Sequence, residues 1–236
     1  MRYRTKQLGM ILSVVIVGVL FWRTTSVQVD MLTVQMPLAG KVIVLDPGHG
    51  GYDSGAVVDG VEEKEIALII TLKTRELLEQ AGAIVYVTRE EDKDLVGKEQ
   101  VEQKKATDIR RRVDFIHESN ADLFLTIHLN SLTSKTWRGA QTFYHSKYVK
   151  NKKIATYIQD SLIQNLKNTT RSPLEMSHVY LLKHSKVPGA LVEVGFLSND
   201  SERELLQQTS YQEKVAVSIY KGVLQYMVEE QTEQIN

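Results

Sequence analysis

Apolar positions along the chain switch between two rhythms, a short β-branched run and a helical spacing. Lys41-Val-Ile-Val-Leu45 is a buried-strand pattern that stops at Asp46-Pro47-Gly48-His49-Gly50-Gly51, a glycine-rich loop. From Glu62 to Gln80 the spacing becomes helical through Ile66, Ile69, Ile70, Leu77 and Leu78, with Gly82 as the stop signal. Ala83 to Thr88 reads as a second strand, so the succession is a βαβ unit and favours a largely parallel sheet. The alternation continues with a helix over Asp108–Glu118 and strands over Ala121–His128 and Gly139–Tyr144. A helix over Ile154–Leu166, a short strand over Val179–Leu182, a buried strand over Gly189–Val194 and a closing helix over Tyr211–Met227 complete it. Arg89 to Lys105 is highly charged and lacks an apolar stripe, which predicts a solvated surface excursion rather than a lid. The expected fold is α/β, a single domain with a mostly parallel or mixed central sheet flanked by helices.

The N-terminus follows neither rhythm. Arg2, Arg4 and Lys6 precede a charge-free run from Gln7 to Trp22, closed by Arg23. This is the layout of a secretory signal or a signal anchor, with the basic cluster on the cytoplasmic side and the rest exported. A spanning helix wants about 20 apolar residues and a signal core about 7–15. No Ala-x-Ala site follows in Thr24-Thr25-Ser26-Val27-Gln28, so a retained anchor is preferred to a cleaved signal peptide or a buried terminal helix. The expected organisation is an anchor or signal peptide at 1–23, a connector at 24–38 and a catalytic domain at 39–236, preceded by an N-terminal apolar helix.

With 236 residues, the chain holds one sizeable domain. Its 29 basic residues equal its 29 acidic ones, so no basic field exists to hold a nucleic-acid backbone. Cysteine is absent, which excludes disulfides, thiolate metal sites and a cysteine nucleophile. A transition metal would have to be held by carboxylates and by some of the six histidines.

Ligands of open parallel sheets gather at the carboxyl ends of strands. His49 follows the first strand, His128 ends a later one, and Glu193 lies inside Gly189-Ala-Leu-Val-Glu-Val194. A carboxylate in an apolar strand is expensive to bury without a partner, so Glu193 is either functional or half of an ion pair. Taken alone, each histidine is equally a strand-end or turn residue. The glycine-rich loop lacks both a P-loop ending and dinucleotide spacing, which argues against phosphate cradling.

Four motifs in order carry more than any one of them. Asp46-Pro47-Gly48-His49-Gly50-Gly51, Glu63-Lys64, Thr126-Ile127-His128-Leu129-Asn130-Ser131 and Leu191-Val192-Glu193-Val194-Gly195-Phe196-Leu197-Ser198-Asn199 resemble those of the zinc-dependent N-acetylmuramoyl-L-alanine amidases of the Amidase_3 type. Thr88-Arg89, Arg112 and Arg138-Gly139-Ala140 are further matches, and the resemblance runs from about Lys41 to the C-terminus. His117 departs from the pattern, where Asn is expected. Within the family the chain looks closest to the short spore-cortex enzymes, which pair a signal or anchor with a bare catalytic domain.

The resemblance implies one zinc ion held by His49, Glu63 and His128, with Glu193 as general base, and the Glu-Lys motif selects Glu63 over its acidic neighbours. It implies peptidoglycan as substrate, cleaved between the lactyl group of N-acetylmuramic acid and L-alanine. In spore cortex this is a step toward muramic-δ-lactam. The location implied is the extracytoplasmic face of the membrane or wall, and in a spore former the forespore envelope. Without a wall-binding repeat, targeting falls to the anchor, the groove or an activating partner protein. Asp46 is read as orienting a metal ligand or capping the turn. The alternatives are a zinc peptidase acting on another substrate and a non-catalytic wall-binding module.

Overall fold

The computed structural model describes residues 36–235. The expected anchor, and all but the end of the connector, lie outside them. Among the described residues no helix is long and apolar enough to cross a membrane.

Strand β1 (Val42–Pro47) leads through a hairpin of β2 (Val57–Val58) and β3 (Val61–Glu62) into helix α1 (Glu63–Gln80). Then come β4 (Ile84–Val87), α2 (Lys104–Glu118), β5 (Leu123–Asn130), β6 (Gln141–Tyr144) and α3 (Val149–Leu166). The chain closes with β7 (Leu174–Glu175), α4 (Tyr180–His184), β8 (Gly189–Phe196), α5 (Asp200–Leu206) and α6 (Thr209–Ile235). The six-stranded sheet runs β4-β1-β5-β8-β6-β7. Its first four strands are mutually parallel, whereas β6 pairs antiparallel with β8 and parallel with β7, so the sheet is mixed.

Alternation along β5 separates two faces. Leu123, Leu125, Ile127 and Leu129 join Ile66 and Ile70 of α1, Ile154 and Ile158 of α3, and Val215 and Ile219 of α6 in the main core. Each such side chain contributes about 1.5–3 kcal/mol when fully buried. The opposite face is smaller: Phe124, Val44 and Leu191 meet Val113 and Ile116 of α2 and Leu181 and Leu182 of α4. Because α2 and α4 cover only part of this face, polar residues at the strand ends remain reachable there.

Helix α1 begins with Glu63 and Glu65 in its first turn, where carboxylates complement the helix dipole, and it ends before Gly82, whose φ of 95° is the left-handed stop expected of glycine. Val179–Leu182 corrects the strand expected there. It forms the start of α4, burying Leu181 and Leu182, because a four-residue apolar run does not distinguish strand from short helix. Helix α5 was missed despite its signal: Asn199 caps it, its side chain accepting from Glu202 N at 3.0 Å. The charged excursion contains no regular element until α2 begins at Lys104, yet it is not solvated throughout, since Arg89 is only 1% exposed.

Candidate active site

The four predicted site residues arrive on four different elements. His128 stands on β5, and parallel register sets Glu193 of β8 directly beside it. Glu63 is the first residue of α1. His49 lies in the loop after β1 with φ of 60°, followed by Gly50 and Gly51, also at positive φ.

This left-handed loop is held by two buried arginines. Arg112 donates from Nη1 to Asp46 Oδ1 at 2.7 Å and Pro47 O at 2.9 Å, from Nη2 to His49 O at 2.6 Å, and from Nε to Asp108 Oδ2 at 2.8 Å. Arg89 donates from Nη2 to Gly48 O and to Lys64 O, each at 2.8 Å. Burial and the neighbouring Arg112 pull the Arg89 guanidinium down to about 10. Asp46 also accepts from Thr88 Oγ1 at 2.6 Å and Thr126 Oγ1 at 2.7 Å. Burial pushes its carboxyl up, but Arg112 and the two threonines outweigh it and keep it below the usual range. Asp46 thus receives Arg112, which in turn bonds His49 O, at the point where β1 ends.

Within that frame His49, Glu63 and His128 offer one ligand atom each, all within 4.8 Å of one another. Glu63 Oε1 lies 3.2 Å from His49 Nε2 and 3.0 Å from His128 Nδ1, and the two rings meet edge to face with centroids 4.9 Å apart. Leu129 N donates to the same oxygen at 3.0 Å, and Ala56 N donates to Oε2 at 2.9 Å. Although burial raises the Glu63 pKa, hydrogen bonds from His128 and His49 dominate and hold the carboxylate ionised far below its normal range. For His49, burial works downward, and the bonds to Glu63 and Asp53 reverse it to a net rise. Two imidazoles and a carboxylate facing a common point can hold a metal ion.

Asp53 is the residue that sequence reasoning passed over. Its Oδ2 lies 3.0 Å from His49 Nδ1 and 3.0 Å from Lys105 Nζ, and Gly55 N donates to Oδ1 at 3.2 Å. Burial opposes ionisation, but His49 and Lys105 lower its pKa to about 2. An anionic acceptor at Nδ1 keeps the proton there and leaves Nε2 free for a metal. Acids in glycine-rich loops are so often turn residues that the four-residue spacing from His49 was the only available signal. Gly55 makes room for the group: a Cβ at its φ of 67° would lie 2.6 Å from both Glu63 Oε2 and His49 Cδ2.

Glu193 keeps some contact with solvent, but its Oε2 is enclosed and has no hydrogen-bond partner among the described residues. Burial, reinforced by repulsion from Glu63, pushes its carboxyl up to about 8. A carboxyl poised there can both accept and return a proton near neutrality. A cavity of about 190 Å³ opens beside His49 and His128, with Ile109, Val179, Leu181 and Leu191 forming its apolar wall.

The other histidines stand apart. His117 Nε2 accepts from Lys186 N at 3.0 Å, His145 Nδ1 accepts from Lys147 N at 3.0 Å, His184 stacks on Tyr180 at 4.0 Å, and His178 is exposed. Trp137 is half exposed, whereas Tyr144 packs against the core.

Comparison with known proteins places the chain in a family. The N-acetylmuramoyl-L-alanine amidase family matches residues 43–225. The germination-specific N-acetylmuramoyl-L-alanine amidase of Bacillus subtilis (strain 168) is 46% identical over 231 residues, covering 97% of this chain and 98% of that protein. The structure of the CwlD amidase from Clostridioides difficile in complex with the GerS lipoprotein superposes with a TM-score of 0.77 at 40% identity, over 79% of this chain and 98% of that one. The amidase AmiC2 of Nostoc punctiforme gives a TM-score of 0.69 at 29% identity, over 80% and 98%. The extent of these matches, with the motifs that bring His49, Glu63, His128 and Glu193 together, makes the chain a member of the N-acetylmuramoyl-L-alanine amidase family.

Proposed function

We propose that the chain is a zinc-dependent amidase that hydrolyses the bond between the lactyl group of N-acetylmuramic acid and L-alanine, in spore cortex, as a step toward muramic-δ-lactam. The observation that carries this reading is the convergence of His49 Nε2, Glu63 Oε1 and His128 Nδ1 beside Glu193, whose Oε2 is enclosed and unpartnered among the described residues. The donor set suits zinc: nitrogen and oxygen ligands, three from the protein, as in catalytic sites that keep a further position open. Zinc bound there would supply Lewis acidity toward the carbonyl oxygen and would acidify a water.

The chain's own residues supply the rest. Glu193 takes a proton from the attacking water as oxygen bonds to the lactyl carbon, and returns it to the departing amine of L-alanine as the C–N bond breaks. Such shuttling is worth about 10²–10⁴-fold in rate. Asp53 orients the His49 imidazole, and Arg112 with Arg89 keeps the loop bearing His49 in its left-handed turn. The apolar wall at Ile109 and Leu191 limits the water that can reach the reacting atoms.

The spore-cortex assignment rests on the Bacillus subtilis relative, whose name makes it germination-specific. The Clostridioides difficile CwlD amidase was solved with the GerS lipoprotein, which supports a protein partner for this chain as well. We place the enzyme on the extracytoplasmic face of the membrane or in the forespore envelope, tethered through residues 1–23. Mass spectrometry of digested muropeptides tests the reaction. Release of peptides beginning with L-alanine from intact glycan is the expected result, and Glu193→Gln is expected to retain zinc without that release. Cleavage within the peptide instead would make the chain a peptidase, and an active Glu193→Gln protein would remove that residue from the chemistry.

A further inference from the structure

Beyond Glu193 the row of side chains continues across the sheet toward its free edge. Gln141 of β6 is registered with Glu193, which is registered with His128, and directly paired residues point to the same face. Gln141 carries Arg171: Nη1 donates to Gln141 Oε1 at 3.1 Å, while Nε donates to Arg138 O at 3.0 Å. The guanidinium lies 5.0 Å from the Phe196 ring centroid and 5.3 Å from that of Trp137. Phe196 reaches this face because a register shift between His128 and Asn130 puts it opposite Asn130.

Arg171 is thus oriented by two hydrogen bonds and two rings, and the Glu202 carboxylate, though near enough to feel its charge, does not pair with it. Among the described residues neither Arg171 nor Arg138 forms an ion pair, and Arg171 Nη2 makes no hydrogen bond. Glu202 is the nearby carboxylate, yet its oxygens are taken up by Gly139 N at 2.9 Å, Asn168 Nδ2 at 3.3 Å and Phe196 N at 2.8 Å. Lys167 adds a third cation to the same cleft, which encloses about 760 Å³. A preoriented guanidinium with a free edge and no direct ion pair is suited to a planar anion.

Gln141, which supports Arg171, lies one strand from Glu193 and two strands, about 10 Å, from His128. An extended peptide advances about 3.3 Å per residue, so this span corresponds to two or three residues. We propose that Arg171, with Arg138 beside it, binds a free carboxylate of the stem peptide two or three residues beyond the scissile amide, and so makes the enzyme selective for anionic stems. The assignment rests on the amidase reading for its substrate, and on the sheet register for its position.

The test compares matched muropeptides whose stem carboxylates are free or amidated, using the full chain loaded with zinc. Wild type is expected to favour the free acid by about 10- to 100-fold in kcat/KM, the range of a hydrogen bond to a charged group. Arg171→Gln should bring the two substrates to within about twofold, chiefly through KM, and Arg171→Lys should keep part of the preference. Equal use of both substrates by wild type, or an undiminished preference in Arg171→Gln, overturns the proposal. Calorimetry with the free L-alanyl stem peptide decides the same point without turnover. Weaker binding to Arg171→Gln supports the assignment, and unchanged binding refutes it. If the amidase reading itself were wrong, neither muropeptide would be cleaved, while the calorimetric comparison would still judge Arg171.

Discussion

Replacing Asp53 by asparagine isolates the orientation of His49 from its identity as a ligand. In the native site Asp53 Oδ2 faces two donors, His49 Nδ1 and Lys105 Nζ, while Oδ1 accepts from Gly55 N. An asparagine that keeps its oxygen on Gly55 turns an NH₂ group toward two other donors. The flipped amide serves His49 but opposes the Gly55 N–H. Either way one bond is lost, and the first arrangement drives the His49 proton to Nε2, the nitrogen facing Glu63. Loss of such a partner costs about 10–100-fold in metal affinity, or about 1.4–2.7 kcal/mol. Lys105→Ala removes only an exposed cation and is expected to change affinity by less than about fivefold. Zinc competition against a chromophoric chelator measures both. A Kd for Asp53→Asn within twofold of wild type would refute the argument, as would a loss in Lys105→Ala that matches it.

Three further outcomes follow from the same geometry. Gly55→Ala should abolish tight zinc binding while leaving far-ultraviolet circular dichroism intact, because its Cβ would crowd Glu63 and His49 at a left-handed position. Arg112→Met leaves Asp46 and Asp108 buried without their cation, and denaturant unfolding should show a loss of about 3–5 kcal/mol. Glu193 in the zinc-free protein has a folded pKa of about 8 against 4.5 for the free side chain, so the native state binds more protons between those values. Its contribution is therefore full below about pH 4.5 and lost as pH rises toward 8. Urea titrations should show wild type falling across that window relative to Glu193→Gln, and parallel curves would contradict the shift.

Much of the fold was legible because long elements repeat their pattern. The helical spacing at Glu62–Gln80 buries one side against the sheet, the β-branched run Lys41–Leu45 is buried on both faces as a central strand, and the structure places both within a residue or two of expectation. Short elements failed for the converse reason. Val179–Leu182 has too few positions to show a period, and β2, β3 and β7 have two residues each. Arg89 looked like the first of many solvated charges, but it is enclosed because the carbonyls of Gly48 and Lys64 need a donor.

The chain by itself determined which groups are candidates for the chemistry. Without cysteine, a metal falls to histidines and carboxylates, and four ordered motifs resembling those of the amidase family single out His49, Glu63, His128 and Glu193; residue type and spacing are local properties. Tertiary structure alone decided which partners those groups have: Asp53 behind His49, Arg112 on Asp46, and Gln141 with Arg171 beyond Glu193. Such pairings depend on cross-strand register and on the path of loops through space. A difference of one residue in either would turn a side chain to the opposite face, and no local pattern encodes that choice.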